Sequence, residues 1–115
     1  MPKAPATPQE HPVLPAPRWL TRAEKVQFRR VCEQMSAAGR PLSDADVDPI
    51  ADLVTLRSRI ADTRRIYRYA VDALKKNPAW RSDQSLALST SRQLDAQTAK
   101  AQRMAAALGI SKEAT

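Results

Sequence analysis

One cysteine, one histidine, two glycines and five aromatic side chains are all that 115 positions carry of the residues that staple, catalyse, turn sharply or fill broad cores. Cys32, being alone, cannot form an intrachain disulfide, and a reducing setting is the simpler expectation. His11 lies in a proline-rich stretch well away from Cys32, so no cysteine–histidine pair and no catalytic residue is expected; on an apolar helix face Cys32 reads as a small core residue. Five aromatics (Trp19, Phe28, Tyr67, Tyr69, Trp80) with only Gly39 and Gly109 are too few for a sheet of aromatic strands joined by tight hairpins. No apolar run approaches the ~20 residues that span a bilayer, and residues 1–17 lack the apolar centre of a signal peptide. No membrane association and a cytoplasmic location are therefore expected. The chain also has no G-x-x-x-x-G-K-[ST] phosphate loop, so neither nucleotide hydrolysis nor any other enzymatic activity is expected of it, and no cofactor.

What is present is positive charge and helical periodicity. The formal charge is +7, and the acids concentrate at Asp44, Asp46, Asp48 and Asp52 while arginines crowd elsewhere. Alternate carboxylates resemble the opening of a calcium loop, yet Pro49 stands where that loop needs glycine and Thr55 where it needs a bidentate glutamate, so no metal is expected. Capping and complementation of a helix dipole explain the four acids better. A basic surplus points to nucleic acid or another anionic partner.

Six prolines within residues 1–17 remove backbone donors and leave too little apolar surface to offset ordering, which predicts a disordered or extended tail, with a second flexible end at 111–115. Between them the spacing predicts one all-α domain over 18–110, made of a short first helix and a long antiparallel helical hairpin. Thr21 and Glu24 form a capping box for a helix over 22–38, with Phe28, Val31, Cys32 and Met35 on one face; Gly39 and Pro41 end it. The second helix starts either at Ser43, with Asp46 at its third position, or at Asp48–Pro49; the coincidence of two cap signals favours Ser43, with Pro49 causing a mild irregularity. Leu53, Ile60, Tyr67 and Leu74 then recur every seven residues, a seam suited to packing along another long helix. Asn77-Pro78 breaks that helix, a third begins at Ser82 or Asp83, and Leu108-Gly109-Ile110 closes it in a Schellman ending.

The basic residues sort by helical position. Arg18, Arg22, Lys25, Arg29 and Arg30 form the most concentrated exposed patch, suited to neutralising backbone phosphates, although an ordinary solvated face carries the same residues. Arg65 and Lys76, with Arg59, point outward from the second helix, and Arg68 and Lys75 are intermediate. Arg57 and Arg64 fall beside the seam and suit ion pairs across helices or subunits. Trp19 could stack on a base, but just before a cap it is expected to pack as a lid over the helix pair.

Pro17 to Leu20 leading into Thr21, the helix start Glu24 to Phe28, then Leu42, Ser43 and Asp46, then Asn77-Pro78, and finally Met104 through Ile110 follow one another in an order that resembles the small subunit of tailed-phage terminases of the P27 family. The likeness covers residues 17 to about 110. It departs in the short 77–81 connection, which lacks a longer glycine-containing loop, and in Ser111 to Thr115, which lacks an arginine after the last helix. The resemblance implies a homo-oligomeric ring that binds double-stranded viral DNA at packaging initiation in the host cytoplasm and regulates a terminase large subunit carrying the ATPase and nuclease. Arg18, Arg22, Lys25, Arg29, Arg30, Arg65, Arg68 and Lys76 would then contact DNA. Leu53, Arg57, Ile60, Arg64, Tyr67 and Leu74 would serve ring contacts. Two rivals remain: a dimeric helical DNA-binding regulator, against which the length of the second helix argues, and a helical assembly adaptor that binds protein only.

Overall fold

Thr21 does at the start of the first helix what its spacing to Glu24 predicts. Its hydroxyl accepts from the Glu24 amide at 3.1 Å, and its own amide donates to Glu24 Oε1 at 2.9 Å, so two donors of the first turn are satisfied. In this computed structural model, which describes residues 13–110, the helix so started is α1 (Arg22–Ala37). A 3-10 turn (Asp44–Asp46) leads into α2 (Val47–Lys76), and α3 (Arg81–Ala107) follows; no strand occurs among the described residues. Residues 1–12 of the expected tail and the 111–115 end lie outside the described residues.

The helix ends are set by local chemistry. Gly39 and Gly109 are the two residues with positive φ among the described residues, at 84° and 79°. After α1 the Gly39 amide donates to Ser36 O and the Arg40 amide to Met35 O; after α3 the Gly109 amide donates to Ala106 O and the Ile110 amide to Ala105 O. Both are complete Schellman endings. Before α2 the Ser43–Asp46 cap signal is the one used, and Asp48 lies inside the helix instead of capping it. Asp46 Oδ2 accepts from the Ser43 amide at 2.9 Å to hold the 3-10 turn, and α2 proper begins at Val47. Pro49 thus falls in the first α-helical turn, where its missing N–H has no intrahelical partner to lose. α3 begins one residue earlier than predicted, at Arg81.

The chain divides into two compact units. The first contains α1, the start of α2 to Thr55 and the end of α3 from Gln102. Its interior is closed by Phe28, Val31, Cys32 and Met35 from α1, Ile50, Leu53 and Val54 from α2, and Ala105, Leu108 and Ile110 from the end of α3. Residues 13–17 run without regular structure and half-bury Leu14, Ala16 and Pro17. The Leu20 amide then donates to Pro17 O, a turn that sends Leu20 inward, 4% exposed, and Trp19 outward, 64% exposed. The expected lid role of Trp19 is therefore corrected: Leu20 takes the buried position, because the turn gives adjacent side chains opposite directions.

The second unit, residues 56–101, is a helical hairpin with a thinner interior. Leu56, Ile60 and Ala70 are its buried apolar residues on α2, with Ala101 on α3. Two threonines are buried beside them. Each satisfies its hydroxyl on its own helix, Thr63 Oγ1 donating to Arg59 O at 2.9 Å and Thr90 Oγ1 to Leu86 O at 2.7 Å. Four residues, 77–80, connect the helices, a length that makes antiparallel neighbours.

Candidate nucleic-acid interface

On α1 a step of 100° per residue places Arg22, Val26, Arg29 and Arg30 about 100° or more around the helix from the buried Phe28, with Lys25 nearer the buried edge at about 60°. Arg18 precedes this face. All five basic residues are exposed, and none of them holds an ion pair among the described residues. The exposed Trp19 ring stands at the same end of the helix.

Helix stability does not account for where these charges sit. Cations are favoured near a helix C-terminus, where the unpaired carbonyls lie, and disfavoured near the N-terminus. Arg22 and Lys25 occupy the first turn of α1, relieved only by Glu24, while its last turn has no basic residue. α2 shows the reverse and favourable order, with Asp48 in its first turn and Lys75 and Lys76 in its last. Arg22 and Lys25 thus sit against the dipole of their own helix.

The second unit carries the other basic residues expected to meet DNA. Arg65 is engaged with Asp62 one turn earlier on α2, and Lys75 lies 4.0 Å from Asp72. Arg68 and Lys76 are exposed and hold no ion pair among the described residues. Of the seam residues expected to meet a second copy, Leu53 is 0% exposed in the first unit and Ile60 is buried in the second. Both are covered by their own chain. Tyr67 and Leu74 are half-buried, Arg57 is half-buried and engaged, and Arg64 is exposed. The large apolar residues that remain exposed in the hairpin are Ile66 and Tyr69 on α2, Trp80 in the turn and Leu88 on α3.

Arg40 is the residue that sequence reasoning overlooked. It follows Gly39 at a position where a Schellman ending ordinarily packs an apolar side chain. Here its stem lies 3.5 Å from where a Cβ on Gly109 would be, its Nη1 donates to Ala107 O at 2.8 Å, and its Nη2 meets Asp46 Oδ1 at 3.2 Å. The guanidinium supplies the cation that the last turn of α3 lacks. Together with Pro49, Asp52, Met104 and Leu108 these groups line a cleft of about 300 Å³. Both Arg40 nitrogens facing it are used within the chain, which makes it a structural joint. The missing cation in the last turn of α3 was the available signal.

Cys32 is fully buried in the first unit. Burial pushes its thiol pKa up, the Leu14 backbone amide partly offsets this, and Glu33 and Asp46 add smaller upward contributions. A thiol held protonated and enclosed is a poor nucleophile and a poor metal ligand. No group of three or more metal-ligating side chains comes together among the described residues, and none of the described helices is long and apolar enough to cross a membrane. No protein-family model, curated protein or solved structure matches the chain.

Proposed function

We propose that this chain is a non-enzymatic DNA-binding component that assembles with copies of itself, and specifically the small subunit of a phage terminase, which holds double-stranded viral DNA for packaging and regulates a large motor subunit. The observation that carries the DNA-binding part is the exposed face of Arg18, Arg22, Lys25, Arg29 and Arg30, free of ion pairs among the described residues, with Arg22 and Lys25 placed against the dipole of α1. Phosphates are the counter-charge such a face fits, through contacts that give affinity without reading sequence. The order of helix signals along the chain supports the narrower terminase reading.

Binding of duplex DNA, followed by anisotropy across a salt series, tests the first part. Lys25→Ala combined with Arg29→Ala is expected to lower affinity about tenfold or more at 0.1 M salt and to reduce the slope of log K against log salt by about 2, one unit for each lost phosphate contact. An unchanged slope would sink the phosphate role of α1, and no salt-dependent binding by the parent chain would favour the protein-only adaptor.

Assembly is tested by native mass spectrometry. A closed complex of many identical copies is expected, since a chain this small leaves a large share of its surface exposed when alone. Because Leu53 and Ile60 are enclosed, the contacts between copies would fall on Arg64, on the free edges of Tyr67 and Leu74, and on Ile66, Tyr69 and Leu88. Monomer or dimer at every concentration would remove the ring and leave a dimeric DNA-binding regulator as the better reading.

A further inference from the structure

The turn between α2 and α3 breaks a local rule at an exposed position. Trp80 is the residue immediately before α3, and its carbonyl accepts the first helical bond, from the Gln84 amide at 3.1 Å. Serine, threonine, aspartate or asparagine at that place would cap the orphan amides of the first turn, which an indole cannot do. Nor does burial compensate, because Trp80 is 58% exposed. The turn is nevertheless firmly held: the Trp80 amide donates to Asn77 O at 3.2 Å, and Gln84 Nε2 donates to Pro78 O at 2.7 Å. A large flat ring is therefore presented to solvent on a braced backbone, at a site where helix stability favours another residue. Such departures from local preference mark functional positions.

Its charged neighbours specify the partner. Lys75 and Lys76 end α2, Arg81 begins α3, and all three are exposed. Asp72 lies 4.0 Å from Lys75, leaving Lys76 and Arg81 without an ion pair among the described residues. A stacking ring bracketed by cations matches single-stranded nucleic acid, whose unpaired bases offer π-faces and whose phosphates offer charge. Intact duplex hides those faces inside its stack. A lipid surface would call for a broader apolar anchor than one ring between Ala79 and Arg81.

We propose that the tip of the hairpin, Trp80 with Lys75, Lys76 and Arg81, binds single-stranded nucleic acid by stacking an unpaired base on the indole. This site uses none of the residues of the α1 basic face, and the proposal does not depend on that face. In the full chain carrying Trp19→Phe, Trp80 is the sole tryptophan and its fluorescence reports directly. Titration with oligo-dT is expected to quench it, less so as salt rises, and Trp80→Ala is expected to weaken oligo-dT binding about tenfold while Trp80→Phe retains most of it. Duplex affinity should be unaltered by Trp80→Ala, as oligo-dT quenching should be by Lys25→Ala with Arg29→Ala, so the two sites fail separately. Oligo-dT affinity indifferent to Trp80→Ala overturns the proposal. So does quenching by anionic phosphatidylserine vesicles with none by oligo-dT.

Discussion

Replacing Asp46 with alanine is expected to lower the unfolding free energy by about 2 kcal/mol, and the thermal midpoint by roughly 10 °C. The Asp46 side chain is 10% exposed, and its two oxygens do separate things. One oxygen holds the Ser43 amide that opens the 3-10 turn, and the other meets Arg40. Alanine removes the acceptor that caps the Ser43 amide, a loss of about 0.5–2 kcal/mol. The Arg40 contact adds less, because that side chain is 36% exposed and solvent screens the pair. Asp46→Asn keeps an acceptor for Ser43 and should cost about half as much. Arg40→Met keeps an apolar stem over Gly109 but loses the bond to Ala107 O, and a double-mutant cycle with Asp46→Ala should show a coupling of about 0.5–1 kcal/mol. Urea melts followed by circular dichroism would decide it: a cost within 0.5 kcal/mol for Asp46→Ala would mean that the joint contributes nothing to the fold.

That joint also shows where sequence reading reached its limit. Thr21 with Glu24, Gly39, Asn77-Pro78 and Gly109 act within a few residues of themselves, so the helix ends they set were legible. Arg40 and Ala107 are 67 positions apart, and nothing local announces that the ends of α1 and α3 meet. The seam of Leu53, Ile60, Tyr67 and Leu74 was legible as an apolar column. A seven-residue repeat on a 3.6-residue helix says only that the column must be covered, by the same chain or by a copy. In the structure its first two members are enclosed by their own units, and its last two are half-covered. Trp19 and Leu20 were indistinguishable as candidates for burial until the turn at Pro17 fixed which one faces inward.

The placement of the α1 charges, by contrast, was legible, while its meaning needed the helix boundary. Arg22 and Lys25 are visible as basic residues in any register, but only the cap at Thr21 puts them in the first turn, where positive charge works against the dipole. A sequence selected for helix stability alone would move those cations to the last turn. Keeping them at the start costs the helix a few tenths of a kcal/mol each.

Phe28→Ala is expected to have the largest effect on stability, about 4 kcal/mol, because the ring is wholly enclosed and its removal combines lost transfer energy with an unfilled cavity. Small domains have roughly 5–15 kcal/mol in all, so the variant would open often. Cys32, four residues further on the same buried face, makes that opening measurable. Its thiol is enclosed and held protonated, and disulfide reagents attack the thiolate, so in the parent chain modification requires the first unit to open. Under conditions where opening is in rapid equilibrium, a 4 kcal/mol loss should raise the rate of reaction with DTNB about a thousandfold. Lys25→Ala with Arg29→Ala changes only exposed side chains and should leave that rate within about twofold. The pair of measurements separates two routes to weak DNA binding. Phe28→Ala would weaken it through an opened unit with a reactive Cys32, and the basic-face variant through lost phosphate contacts with Cys32 still protected. Rapid modification of the basic-face variant would show instead that those cations hold α1 in place, and the case for a phosphate-binding face on α1 would fail with it.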